Sequence, residues 1–252
     1  MNITHTISGR LGLGDRAINA YEKPAHIRGS AECWGVRKLT GPKIKKKLLV
    51  LGSGRSGTTF TAKALQTAGI EVTHEKVGED GTVSHYFVVD SDWHPMAPWK
   101  GWVEKEKMHV GERRSDFKFE NVIHIVRDPR KTIPSMTKIF DSVTWHYYVH
   151  NGLIPAGIKN PTLRAMHLWL AHNRLAMEQA DLTFQLERYQ HAWPAMMAML
   201  KCDAPYPQHL KPMNKTGGFK KYTPLTYDEL GCVDLKLARD IKQLARKLGY
   251  KE

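Results

Sequence analysis

Continuous apolar runs, bounded by glycine or by polar residues, give this chain its clearest structural signal. Residues 46–51 end in Leu-Leu-Val-Leu and run into a glycine-rich turn, which predicts a buried strand and then a helix over Phe60–Ala68 that ends at Gly69. A second strand is predicted at 70–74, and the almost wholly apolar run at 121–126 predicts a third. Apolar runs of this kind are typical of parallel strands covered by helices on both faces.

The later part of the sequence continues the pattern. Asn160-Pro161 is a capped start for a helix that we expect to run to about Gln179, and a short strand is expected at 181–187. Further helices are predicted at 193–200 and 233–248. Helices and strands therefore alternate along the chain, which favours an α/β fold.

Length allows one such domain. The 252 residues suffice for a single α/β domain with a full core. We predict a three-layer sandwich with a central, mainly parallel sheet and a P-loop-like turn over residues 45–252. Residues 1–44 contain several glycines but no periodicity, so we expect an irregular N-terminal arm.

Composition limits the location and the partners. Three cysteines are too few and too scattered for a disulfide framework or a zinc site, which favours a reducing compartment. The sequence contains no apolar run of the length of a membrane span and no signal-peptide core, so we expect a cytoplasmic protein without a membrane span. The oligomeric state is left open.

Charge favours an anionic ligand. Basic residues exceed acidic ones by 38 to 25, which gives a formal net charge of +13. Such an excess attracts an anionic ligand, an acidic acceptor, or nucleic acid and membrane surfaces without specificity. The lysine-rich segment 43–47 has no interleaved aromatic residues, so we interpret it as a solvated strand edge and expect no nucleic-acid partner.

The turn after the first strand has the layout of a phosphate-binding loop. Gly52 and Gly57 have the spacing of the G-x-x-x-x-G-K-[ST] motif, and Thr59 occupies its Ser/Thr position. The glycines let consecutive amides approach an anion, and the dipole of the next helix favours the same charge. Thr58 stands where triphosphate-binding proteins have lysine, and the loop's cation is Arg55. A ligand with less phosphate charge at this point is therefore predicted.

A second phosphate contact is predicted where the strand at 121–126 ends. Arg127 follows this strand, and the Asp-Pro pair after it suits a helix start, so the arginine is expected at the carboxyl edge of the sheet, where α/β proteins bind ligands. Ser135 lies eight residues further along. Pro134 is expected to kink this helix or to end it early. Two separate phosphate contacts indicate a ligand that is phosphorylated at both ends.

These two motifs resemble those of the sulfotransferase superfamily that uses 3′-phosphoadenosine-5′-phosphosulfate (PAPS). In that superfamily a Lys/Arg-Ser-Gly-Thr-Thr loop holds the 5′-phosphosulfate, and an arginine with a serine eight residues later holds the 3′-phosphate. The matching residues here are Arg55, Ser56, Gly57, Thr58, Thr59, Arg127 and Ser135. The resemblance covers about residues 46–230. It implies transfer of a sulfonate group from PAPS to an acceptor hydroxyl, adenosine 3′,5′-bisphosphate as product, and no metal.

Sulfonate transfer requires a base for the acceptor hydroxyl and cations for the leaving phosphate. Similarity to the tyrosylprotein and glycan sulfotransferases implies a glutamate base, and Glu75, directly after the second predicted strand, is the first candidate. Arg55 is the candidate cation at the leaving group. The alternative bases are His74, His85 and His109, the last because it shares a Lys-x-His core with the cytosolic small-molecule enzymes.

Other segments carry weaker signals. The loop that contains Lys215 and Gly217 resembles the basic loop that closes over the 3′-phosphate and adenine in the superfamily. The acceptor is expected to be a hydroxyl-bearing glycan or small molecule, and a polar segment offers indole rings for stacking, namely Trp93, Trp99 and Trp102. His146 and His150 are spaced for a metal, but the sequence supplies no third ligand at a recognisable spacing.

Two functions from other classes remain open at this point. A P-loop kinase-like nucleotide enzyme would require magnesium. A basic nucleic-acid-binding module would bind DNA or RNA with a strong dependence on salt.

Overall fold

The computed structural model describes residues 43–91, 113–140, 142–210 and 223–251. Its strands are β1 (Ile44–Leu51), β2 (Val72–His74), β3 (Gly81–Ser84), β4 (Phe117–Val126) and β5 (Leu182–Gln185). Its helices are α1 (Thr58–Thr67), α2 (Pro129–Ile139), α3 (Ser142–His150), α4 (Pro161–Gln179), α5 (Tyr189–Met199), α6 (Tyr227–Val233) and α7 (Leu235–Lys247). The predicted α/β fold is confirmed.

The strands form one sheet in the order β2-β3-β1-β4-β5, and every neighbouring pair is parallel. β1 lies at the centre, between β3 on one side and β4 on the other. The chain leaves β1 toward one half of the sheet and later returns to build the other half. In open α/β sheets, ligands bind at the carboxyl ends of the strands where the order reverses, which here is the carboxyl end of β1.

Alternating residues of β1 explain the three layers. Leu48 and Val50 pack into a core with α1 and α5, whereas Leu49 and Leu51 pack into a second core with α2, α4 and α7. All four side chains are fully buried. Successive side chains of a strand point to opposite faces, so a run without polar residues indicates a sheet that helices cover on both sides.

α2 continues through Pro134 to Ile139, so the proline does not end the helix early. A proline inside a helix leaves the carbonyl four residues earlier without its amide partner. Here that carbonyl belongs to Arg130, and it accepts a hydrogen bond from the Leu225 amide at 2.9 Å. The tertiary contact replaces the missing bond, and Ser135, next to the proline, is fully buried within the helix.

The sequence signals missed β3, α3 and α6 and shifted several boundaries. Most of the predicted arm at 1–44 falls outside the described residues. No helix in the described part of the chain is long and apolar enough to cross a membrane.

Candidate functional site

The turn between β1 and α1 leaves backbone amides available for a ligand. Gly57 is the N-cap of α1 with a left-handed φ of 92°, and no side chain caps this helix start. The first amides of a helix have no partner within the helix, so an uncapped start offers them to an anion. The first turn of α1 also contains no acidic residue that would repel one.

Phe140 packs tightly against the loop. Gly54 lies under the ring of Phe140, so that a Cβ at this position would overlap the ring. Within the loop, the Ser56 amide donates to the Ser53 carbonyl at 3.0 Å, and the Ser56 hydroxyl contacts the same oxygen. These contacts fix the turn without using the helix amides.

Hydroxyl groups surround the same turn. Ser53 and Ser56 are fully buried and Thr58 is 5% exposed. The Ser53 hydroxyl has no hydrogen-bond partner among the described residues. A buried hydroxyl without a partner is uncommon in folded proteins, because leaving it unsatisfied costs about 1–3 kcal/mol.

Two arginines from different turns meet beside the loop. Arg55 Nε donates to Ser135 Oγ at 3.0 Å, and Arg127 Nη1 donates to the carbonyl of Arg55 at 3.1 Å. Neither arginine forms an ion pair with a carboxylate in the described part of the chain. The structure therefore brings together three of the predicted ligand contacts, and among the described residues the two guanidinium groups have no carboxylate within ion-pair distance.

Hydrogen bonds from neighbouring side chains fix the backbone at Arg127. Its carbonyl accepts hydrogen bonds from Trp169 Nε1 at 3.2 Å and from the Thr132 hydroxyl at 3.3 Å. Asp128 caps α2 by accepting from the Arg130 amide at 2.9 Å and also pairs with the Arg130 guanidinium at 2.9 Å. Asp128 is therefore engaged in structural contacts.

Glu75 lies at the centre of a polar cluster at the ends of β2 and β3. Its side chain is 10% exposed. Oε2 accepts from the Ser84 hydroxyl at 2.6 Å, and Oε1 accepts from the His85 amide at 3.2 Å. The imidazole nitrogens His74 Nε2 and His85 Nε2 lie 3.2 Å and 3.6 Å from Oε1. Three of the four predicted base candidates thus occupy one cluster.

His74 connects this cluster to the phosphate-binding turn. Its Nε2 atom lies 3.0 Å from Thr58 Oγ1 and 3.4 Å from Thr59 Oγ1. His85 lies on the other side, where its Nδ1 contacts the Tyr148 hydroxyl and its ring stacks on Phe140 at a centroid distance of 6.0 Å. A single nitrogen, His74 Nε2, therefore bridges the carboxylate and the loop.

The backbone is strained at two site residues. Glu75 has a φ of 64° and Arg55 a φ of 73°, both in the left-handed region that favours glycine. Non-glycine residues in this region cost of the order of 1 kcal/mol and occur often at functional sites.

Two further histidines are buried below the site. His124 on β4 hydrogen-bonds to Asn173 Oδ1 at 2.9 Å, and His172 on α4 hydrogen-bonds to the His85 carbonyl at 3.1 Å. Burial lowers the pKa of His124 to about 4 and that of His172 to about 3, and the proximity of His124 adds to the second shift. Both imidazoles are therefore neutral at physiological pH.

Several predicted residues lie outside the described part of the chain, namely Trp93, Trp99, Trp102, His109, Lys215 and Gly217. His146 and His150 are exposed on α3, with ring centroids 6.5 Å apart. Within the described ranges, no group of three or more His, Cys, Asp or Glu residues is arranged to hold a metal ion.

Sequence reasoning missed Ser84 and Tyr148, which complete the polar cluster around Glu75 and His85. β3 was not predicted, so nothing in the sequence signals linked Ser84 to Glu75. No protein-family model, curated protein or solved structure matches the chain. The geometry of the site is accordingly the basis for a functional assignment.

Proposed function

We propose that this protein is a PAPS-dependent sulfotransferase that moves a sulfonate group to a hydroxyl of a glycan or small-molecule acceptor. The observation that carries the proposal is the chain of contacts from Ser135 to Arg55 to Arg127 beside an uncapped helix start. Two arginines that form no ion pair with a carboxylate in the described part of the chain favour an anionic ligand, because a guanidinium binds phosphate oxygens through two parallel hydrogen bonds.

The turn at Gly57 would hold the 5′-phosphosulfate. The amides at the start of α1 donate hydrogen bonds to its oxygens, as does the hydroxyl of Thr59. His74, which contacts Thr58 Oγ1 at 3.0 Å, can donate through Nε2–H and so direct that hydroxyl toward the ligand. Ser53 supplies a buried hydroxyl that still lacks a partner among the described residues.

Arg127 and Ser135 would hold the 3′-phosphate. The planar fork of a guanidinium matches a phosphate, and the Ser135 hydroxyl adds a hydrogen bond from α2. Ser135 now accepts from Arg55 Nε. This contact supports the proposal, because it links the loop arginine to the residue proposed to bind the 3′-phosphate.

Glu75 is the proposed general base. The acceptor oxygen attacks sulfur, the bond from sulfur to the bridging phosphate oxygen breaks, and the acceptor proton passes to the carboxylate. Ser84 and the His85 amide fix the orientation of that carboxylate. Arg55 stabilises the negative charge that develops on the leaving phosphate. Arginine supplies the positive charge in this scheme, so the proposed chemistry uses no metal ion.

The competing functions have less support. A P-loop kinase would need a carboxylate for magnesium, and Asp128, the carboxylate nearest to Arg127 in sequence, is occupied by the α2 cap and by Arg130. A nucleic-acid-binding module rests on net charge alone.

Calorimetric titration with adenosine 3′,5′-bisphosphate tests the proposal, with 5′-AMP and Mg-ATP as comparison ligands. We expect magnesium-independent binding that weakens by about 100-fold when the 3′-phosphate is removed or when Arg127 is replaced by alanine, since a charge-assisted phosphate contact contributes about 3 kcal/mol. Arg164→Ala, a change on α4, is the matched control. No binding, or a preference for Mg-ATP, would overturn the proposal.

A further inference from the structure

The segment after α7 is attached to the carboxyl ends of β4 and β5. Tyr250 is 9% exposed, and its hydroxyl lies 3.1 Å from the Val126 carbonyl and 2.9 Å from Glu187 Oε2, so that it can donate to either. Gln185 Nε2 donates to the Leu248 carbonyl at 2.8 Å and holds the same segment in place. This anchoring lies directly beside the turn that carries Arg127.

Tyr250 and Glu187 together hold both peptide groups that flank Arg127. The Val126 carbonyl precedes the arginine and receives the Tyr250 hydroxyl. The Asp128 amide follows the arginine and donates to Glu187 Oε1 at 3.4 Å. One phenol and one carboxylate therefore bracket the arginine on both sides.

The phenol stays a hydrogen-bond donor at physiological pH. Burial, followed by the proximity of Glu187, raises the pKa of Tyr250. Lys131 Nζ, 4.0 Å from Glu187 Oε1, partly offsets the negative charge of the carboxylate. These contacts engage the Glu187 carboxylate. The Arg127 guanidinium forms no ion pair with a carboxylate in the described part of the chain.

We infer that Tyr250, acting through Glu187, is a positioning residue for Arg127 and thereby a determinant of selectivity for nucleotides that carry a 3′-phosphate. This inference rests on the proposed function. Loss of the hydroxyl removes the one donor that the Val126 carbonyl and Glu187 Oε2 share, and so loosens the backbone on both sides of Arg127. A displacement of about 1 Å is enough to spoil a fixed electrostatic contact. Ligands that contact the Arg127 guanidinium directly should be affected most, because the loop senses Arg127 only through its hydrogen bond to the Arg55 carbonyl.

The test measures two ligands with the same variants. Tyr250→Phe should weaken binding of adenosine 3′,5′-bisphosphate roughly tenfold, the loss expected for a hydrogen bond to a charged group. Binding of 5′-AMP, which lacks the 3′-phosphate, should weaken by less than about twofold. Tyr206→Phe is the matched control, because Tyr206 packs against Trp193 in the core on the opposite face of the sheet.

Glu187→Gln tests the same inference with a second variant. The Glu187 side chain is 31% exposed, so this variant should fold. It should reproduce the loss, and the double variant should bind no more weakly than either single variant, because both act through one contact. Unchanged ligand selectivity in both single variants, or an equal loss for both nucleotides, would overturn the inference. Wild-type protein without any preference for the 3′-phosphate would instead overturn the proposed function, and this inference with it.

Discussion

Two strand-to-helix turns lie side by side at the carboxyl ends of the inner strands β1 and β4, and they differ in whether a side chain caps the helix that follows. After β1, α1 begins at Gly57 without a side-chain cap. After β4, α2 begins at Asp128, whose carboxylate accepts from the Arg130 amide. The first turn leaves its amides open to a ligand, whereas the second satisfies its own amide and contributes side chains. We therefore expect the open turn to govern rate and the capped turn to govern affinity and stability.

The strongest test of this division is Glu75→Gln beside the open turn. Removal of a general base should lower kcat by about 10²–10⁴-fold. Affinity for adenosine 3′,5′-bisphosphate should change far less than kcat, because Glu75 reaches the loop only indirectly, through His74. Turnover is measured as nucleotide release with a compound found by screening phenols and sugars, with the exposed Glu71→Gln as control. A parallel loss of nucleotide affinity would contradict the division.

Arg55→Ala should have the next largest effect. Loss of one group that stabilises charge on the leaving phosphate should lower kcat by about 10²–10³-fold. The free energy of unfolding should fall by only about 1 kcal/mol, because alanine keeps the left-handed strain at this position and the variant loses one hydrogen bond, from Arg55 Nε to Ser135 Oγ. Lys63→Ala on α1 controls for the loss of a positive charge. Unchanged kcat with weakened nucleotide binding would show that Arg55 contributes to nucleotide affinity and not to rate.

Asp128→Ala tests the capped turn. The variant loses the N-cap of α2 and the partner of Arg130, which should lower the free energy of unfolding by about 1–2 kcal/mol. Denaturant unfolding measures this change, with the exposed Asp203→Ala as control. Unaltered stability together with lost activity would show that Asp128 serves the ligand directly.

Mild acid should destabilise the protein through two buried histidines, His124 on β4 and His172 on α4, and we expect this effect to be the smallest of all. His124 and His172 are neutral when folded, with pKa values near 4 and 3 against an ordinary 6.5. Their stabilising contribution is complete above pH 6.5 and is lost as pH falls toward 4, because the unfolded chain binds protons first. Between pH 7 and pH 6 we expect a loss on the order of 1 kcal/mol.

Denaturant unfolding at each pH would reveal this loss. His124→Asn should flatten the dependence on pH. A flat profile for the wild type between pH 7 and pH 5 would contradict a role for these two imidazoles.

Much of the fold could be predicted because its signals are local. The apolar runs in β1 and β4 and the Asn160 cap of α4 depend on neighbouring residues alone. β3 was missed because it has four residues, and two of them, Thr82 and Ser84, are polar and fully buried. Its place beside β1 depends on pairing between distant segments.

The candidate site, like the fold, was predictable only where its signals are local in sequence. Arg55, Arg127 and Ser135 were predictable because two short motifs carry them. The partners of Glu75 were not, because Ser84 lies on the missed strand and His85 directly follows it. That α2 continues past Pro134 was unpredictable for a related reason, since the Leu225 amide that satisfies the Arg130 carbonyl is distant in sequence.

The left-handed backbone at Arg55 and Glu75 has an evolutionary consequence. Glycine would relax the main chain at both positions, because it adopts such conformations without strain. Selection for thermal robustness alone would thus replace the two side chains on which the proposed chemistry depends. Their persistence would mark a trade-off between stability and activity, and substitution at these two positions in divergent descendants would mark the loss of catalysis.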